Sequence, residues 1–436
     1  KVRHDYSATI LQLFMENFAK PYYEACEERG IAFTGHVWEH GWPHINHNPD
    51  IMNFYRWQHW PGIDCLMNNY SEGPNAQFGN YRANKELDSI GNQLGRIRRL
   101  CETYGAGGWE LTMEDVKRIG DHLYAGGVNL MNPHLSYYAL RGARKRDHPQ
   151  SFSYQAPYWE AFHMPMDYFG RLSWALAGGK VQSPILVIQP TVTMWMYNWS
   201  GSQGKTLNQL GAAFQSYITE LGAAQVAFDL GSEPVMAELA KVEGKQLQVG
   251  QCAYDVVILP PGLEVLSSST VRLLADFAKN GGTIISTVGV PAYVDARPSD
   301  AAAEIKKLAG DRWIEEEQTS DQLKQTWKNG GAWITAEAPD NGRVYHYARE
   351  FEDGRLVFVI NTSLEDQSVG SATVQGAFVE HWNAVNGQFE SQVFAAKEES
   401  TVAFDFTLPP AGSALFAVYD KKPDLKTVAP QTWKEV

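Results

Sequence analysis

What most constrains this chain is a helix-strand alternation that recurs four times before residue 135. After Ser7, the residues Ile10, Phe14, Phe18 and Tyr22 return every four positions, which predicts an N-capped amphipathic helix ending at Gly30 with a kink at Pro21. "IAFTGHV" then reads as a buried strand. The pattern repeats as helix "PDIMNFYRWQHW" and strand "GIDCLM", helix "ANKELDSIGNQLG" and strand "RIRRLCET", helix "TMEDVKRIGDHLYAGG" and strand "VNLMNPH".

Units of this length force parallel strands joined by right-handed crossovers, and in such folds functional side chains collect at the C-terminal strand ends. Those ends carry His36, Trp38, Glu39, Asn68, Asn69, Tyr70, Glu102, Tyr104, Trp109, Asn132 and His134. An eight-stranded (β/α) barrel takes about 250 residues. Residues 1–180 therefore predict its C-terminal half only, with the first half expected on an upstream segment or on another chain. The opening "KVRHDY" has neither an initiator Met nor a signal-peptide pattern.

From "SPILVIQP" the texture changes. Residues 181–335 alternate strand and helix again and predict a flavodoxin-like α/β domain of the class I amidotransferase kind. Cys252 precedes its strand instead of standing on a strand-to-helix elbow, which argues against a nucleophile there. Residues 336–420 alternate with period two around Asp-Gly and Asn-Gly turns, the pattern of an antiparallel β-sandwich, and 421–436 read as a tail.

The formal charge of −13 repels nucleic acid and anionic membrane surfaces, and no run of about twenty apolar residues spans a bilayer. Cys26, Cys65, Cys101 and Cys252 lack the short paired spacings of a zinc ribbon and read as free thiols. Nine of the fourteen tryptophans and ten of the twelve histidines lie before residue 200, which places the chemistry in the first domain.

Two stretches stand out there. "GHVWEHGWPHINH", from Gly35 to His47, contains His36-x-x-Glu39-His40, the inverted zinc-peptidase spacing. That chemistry needs both histidines one turn apart on a helix, whereas Gly35 and Gly41-Trp42-Pro43 bracket the motif and forbid a helix through it. The loop instead presents Trp38, Trp42, His36, His40 and Glu39 to a cleft, where aromatic faces beside hydrogen-bonding groups suit a sugar ring. A zinc or calcium site drawn from several loops stays open, and His44 and His47 read as loop caps.

"LCETYGAGGW", from Leu100 to Trp109, ends an apolar strand on a glutamate. Glycosidic cleavage needs two carboxyl groups, one protonated and one ionised. Glu102 is the candidate base or nucleophile, against the structural alternative of an ion pair with Arg98 or Arg99. Glu39 is the second carboxyl, as acid or as a substrate ligand. The loop "NPHLSYYALRGARKRDHPQ" adds Tyr137 and Arg141 as substrate-binding candidates; its Arg141, Arg144, Lys145 and Arg146 read as a solvated face from which one arginine is able to reach a uronate or Glu102.

On "CETYGAGGW", "GVNLMNPH" and the order of the later domains, the chain resembles glycoside hydrolase family 106, the α-L-rhamnosidases. More distantly it is similar to family 42 β-galactosidases. The resemblance implies an exo-acting, inverting hydrolase assisted by calcium, acting on terminal rhamnose of oligo- or polysaccharides in a periplasmic or secreted setting. It implies that Glu102 is the general base and that His134 faces substrate. The general acid of the family lies on an earlier strand, upstream of Lys1, and Asn68-Asn69-Tyr70 stands where a carboxylate ligand for calcium is expected. Two rivals follow: a carbohydrate-binding scaffold without a complete acid/base pair, and a zinc hydrolase. A homo-oligomer is a further expectation.

Overall fold

A computed structural model describes residues 1–37, 39–198, 202–315, 319–398 and 400–423. Its first unit is a parallel sheet in the order β1-β2-β3-β4, made of Thr34–Gly35, Trp60–Cys65, Leu100–Thr103 and Leu130–Pro133. Helices fill the connections: α1 (Val2–Phe14) and α2 (Lys20–Glu27) before β1, α3 (Ile51–Arg56), α4 (Tyr81–Gln93), α5 (Met113–Ala125), and α6 (His163–Ala175) after β4. Their starts are written in the sequence. Asp50 accepts from Asn53 N, Asn80 from Ala83 N, and Thr112 forms a reciprocal box with Asp115.

The first helix differs from expectation in two ways. A π turn, Met15–Ala19, joins α1 to α2, which is how the chain accommodates Pro21, a residue without an N–H to give to the turn before it. The face that packs inward is His4, Ser7, Leu11, Met15 and Ala19, while Ile10, Phe18 and Tyr22 are exposed. Small Ser7 allows close approach of α1 to Thr191–Tyr197, where the His4 and Trp195 rings lie 5.6 Å apart. β1 also shrinks to two residues, because it pairs on one side only.

α4 is a second departure. It is rich in charged and polar residues, yet nearly every residue is buried. The charges pair inside: Arg82 with Glu86 at 2.5 Å and Lys85 with Asp88 at 2.8 Å. Arg82 Nε donates to Gln215 Oε1 at 2.9 Å, and Tyr347 Oη donates to Asp88 Oδ1 at 2.8 Å. The helix is thus a polar peg fixing the first unit to the two that follow.

The second unit is a five-stranded parallel sheet, ordered Trp313–Ile314, Thr283–Ser286, Val256–Leu259, Ile185–Ile188, Phe228–Gly231. In chain order that is 2-1-3-4-5 read from its far edge, the flavodoxin arrangement. Cys252 lies on an antiparallel strand, Cys252–Tyr254, and burial pushes its thiol up to about 12, so it supplies no nucleophile. Two antiparallel sheets, of four and five strands, follow from Ala332 and pack face to face around Ile334, Val357, Val374, Phe404 and Phe416. No described helix is long and apolar enough to cross a membrane.

Candidate active site

The strand register brings the acids together. In the parallel pairing Asp64 of β2 stands opposite Glu102 of β3, and Glu102 opposite Asn132 of β4. Paired positions in a sheet project to one face. Ile63, Cys65, Cys101 and Thr103 are buried on the other, while Asp64 and Glu102 are only partly covered.

Glu102 sits between two imidazoles. His36, just past β1, lies 3.1 Å from Glu102 Oε2 through Nε2, and His134, just past β4, places Nε2 3.9 Å from Oε1. The ion pair with Arg98 or Arg99 is not formed: Arg98 Nη1 donates to Ser173 O at 3.1 Å, and Arg99 Nη2 donates to Asn92 Oδ1 at 2.5 Å. Glu102 stays partly exposed at the end of its strand.

Asp64 went unnoticed in the sequence because "GIDCLM" reads as an apolar strand and the acid sits inside it, not at its end. The polar exception at the cleft-facing register was the available signal. Burial is the main reason its carboxyl is raised from 3.8 to about 6; the Glu102 charge adds to that, and His36 and His148 oppose it. Asp64 Oδ1 is buried without a hydrogen-bond partner. His148, 5.9 Å ring to ring from His134, is the other residue not anticipated.

Glu39 occupies a different place. It opens a 3₁₀ turn, Glu39–Gly41, and its side chain is 1% exposed, with Oε1 accepting the Asp64 N–H at 2.5 Å and the Glu39 carbonyl accepting from Arg82 Nη2 at 2.9 Å. Burial holds its carboxyl well above the ordinary carboxylate range. His36 and His40 share no helix. Trp42, expected on the cleft wall, is buried instead, donating from Nε1 to Gly211 O at 3.1 Å. His40 is half-buried, and burial, with the His36 and His47 charges, lowers its pKa. Trp38 lies outside the described residues.

Tyr104 also needs correction. Its backbone turns at φ 67°, its ring is fully buried, and its hydroxyl donates to Val116 O at 2.9 Å, so it anchors α5 and does not face a ligand. Tyr70 donates to Glu72 Oε1 at 2.8 Å and meets Phe78 and His122 edge-on. Trp109 and Tyr137 organise the loop after β4: Trp109 Nε1 donates to Lys145 O, Tyr137 Oη to His148 O, with the rings 6.4 Å apart. Asn69, Asn132 and Arg141 are exposed.

Among the described residues, His36, Asp64 and Glu102 offer ligand atoms all within 4.8 Å of one another. Calcium takes six to eight oxygens. Two carboxylates and an imidazole fall short of that, so these three residues alone do not make a calcium cage.

A sheet end with clustered carboxylates and imidazoles offers the groups of a hydrolase that works by general acid/base catalysis. The chain belongs to glycoside hydrolase family 106, alpha-L-rhamnosidase, whose profile matches residues 1–396. The structure is similar to a rhamnosidase from Novosphingobium sp. PP1Y, with a TM-score of 0.74, 18% identity and coverage of 98% of this chain and 41% of that one. It is similar too to an exo-carrageenase of family 42 from Bacteroides ovatus, with TM-score 0.61, 11% identity, 96% of this chain and 56% of that one. A Formosa agariphila protein whose provisional name is beta-glucuronidase is 22% identical over 88% of this chain and 31% of its own length. The chain thus spans less than half of the length of two of these relatives and 56% of the third.

Proposed function

We propose that this protein hydrolyses terminal α-L-rhamnose from oligo- or polysaccharides, with Glu102 as the base that activates water. The observation that carries the reading is the position of Glu102 at the end of β3, partly exposed and flanked by His36 and His134. The His36 imidazole against Oε2 fixes the direction of the carboxyl group, leaving Oε1 to accept a proton from the attacking water. Asn132, next in register and exposed, and the half-open ring of Trp109 supply a hydroxyl partner and an apolar face for the sugar.

Asp64 is not the second carboxyl of an inverting pair. Its oxygen lies within 4.8 Å of that of Glu102, against the roughly 6.5–9.5 Å that leaves room for a water. It serves as a hydroxyl ligand that exchanges protons near neutral pH. Glu39, sealed beneath β2, supports Asp64 through its backbone and does not reach a leaving group. We read β1 to β4 as half of an eight-stranded barrel and assign the general acid to the strands that complete it. No step in this reading passes through a metal.

The test is a panel of aryl glycosides offered to the natural full-length protein. Preferential hydrolysis of the α-L-rhamnoside supports the assignment. Preference for the β-glucuronide moves it to the chemistry named for the Formosa relative, and binding of rhamnose without turnover of any substrate replaces it with a carbohydrate-binding scaffold.

A further inference from the structure

The opposite end of the same sheet holds a second site. A cavity of about 390 Å³ opens where the C-terminal end of α4, the segment leading into β3, the connection after α6 and the sandwich strand Val344–Phe351 converge. Arg99, which lines it, directly precedes β3, whereas Glu102 stands toward the far end of that strand, so the cavity is separate from the cleft described above.

Its lining is cationic in a chain with a net charge of −13. Arg96, Arg99, Lys180 and Arg349 contribute, and no acidic side chain lines it among the described residues. Arg99 is 2% exposed; Nη2 is spent on Asn92 and Nε stands 3.6 Å from Asp88 Oδ1, but Nη1 is buried with no hydrogen-bond partner. The Ser183 hydroxyl, lining the same space, is also buried and unpartnered. Gln251 brings its amide over Gly95, where a Cβ would come within 2.5 Å of its Nε2.

The arginines are not needed as helix caps. Of the carbonyls at the end of α4, that of Gln93 accepts from Gln251 N and that of Gly91 from Arg96 N, each at 2.8 Å. Arg349 is held in place by donating to Gly178 O, Gly179 O and Tyr347 Oη, one bond from each of its three nitrogens. Its charge adds to the field in the cavity. A buried guanidinium nitrogen and a buried hydroxyl without partners, in a lining that carries basic and no acidic side chains, match an oxyanion, which accepts from several donors at once.

We propose that this cavity binds a tetrahedral oxyanion, phosphate or sulfate, through Arg99 Nη1, Ser183 Oγ and Lys180. The ligand is either the free ion or its ester on a small sugar. Titration calorimetry at constant ionic strength, with sodium chloride as the balancing salt, separates these using inorganic phosphate, inorganic sulfate, glucose 6-phosphate and glucose 6-sulfate as probes. Saturable one-to-one binding is expected, weakened at least tenfold by Lys180→Glu and several-fold by Ser183→Ala, with melting temperature and glycosidase activity unchanged. Tighter binding of the inorganic ions identifies the free ion, and tighter binding of the esters identifies a sugar ester. Absence of saturable binding by all four probes, or binding that both variants leave untouched, overturns the proposal. Lys180 is exposed and Ser183 small, so neither substitution disturbs the pairing of Arg99 with α4.

Discussion

Replacing Asp64 by Asn should make this protein more stable at neutral pH. Its carboxyl titrates near 3.8 in the unfolded chain and near 6 in the folded one, chiefly through burial beside Glu102. Below pH 3.8 it is protonated in both states and costs nothing. Above pH 6 it is ionised in both, and the folded state bears the whole penalty, about 3 kcal/mol at about 1.4 kcal/mol per pH unit. The amide removes that penalty but inherits the unpartnered place of Oδ1, which returns about 1 kcal/mol. The net expectation is a gain of about 1–2 kcal/mol at pH 7.5 that falls away toward pH 4, accompanied by a loss of activity. Urea unfolding of both proteins at pH 4, 5, 6 and 7.5 measures it. An Asp64→Asn protein less stable at pH 7.5, or one whose stability difference does not change with pH, refutes the burial argument.

Three further outcomes are expected. His36→Gln removes the imidazole from Glu102 Oε2 and should lower kcat roughly tenfold or more while leaving the urea midpoint in place; an unchanged kcat argues against a positioning role. Arg82→Met leaves Glu86 buried without its ion pair and should cost about 3–5 kcal/mol in unfolding at pH 7, part of which Arg82→Met with Glu86→Gln recovers; a single-variant cost under about 1 kcal/mol contradicts the peg assigned to α4. Tyr104→Phe loses the bond to Val116 O, worth about 1 kcal/mol, and should leave KM for sugar unchanged in steady-state assays, as a residue of the core does.

The helix-strand rhythm, the unit order and the strand-end position of Glu102 were all legible because each leaves a local trace: a period, a cap or a turn residue. The sidedness of α1 was not, since two stripes of similar spacing compete there and the choice rests on Thr191–Tyr197, far along the chain. The burial of α4 was not legible for the same reason. Its charges look solvated until Gln215 and Tyr347 arrive to cover them. At the site, Asp64 was hidden by its apolar neighbours, and only the register against Glu102 turns it toward the cleft. Glu39 and Tyr104 stand at strand ends as expected, but sequence position does not say which side of the sheet a loop residue enters: a 3₁₀ turn carries one under β2, and a positive-φ turn carries the other toward α5.

The most direct test of Glu102 as the base is the rate of aryl α-L-rhamnoside hydrolysis by the natural full-length protein with and without Glu102→Gln. The isosteric amide keeps an acceptor for His36 and cannot take a proton from water. The account predicts a fall in kcat of about 10²–10⁴-fold with KM within a few-fold and the melting temperature unchanged. A variant that retains kcat within about threefold of the parent contradicts it and moves the chemistry away from the end of β3.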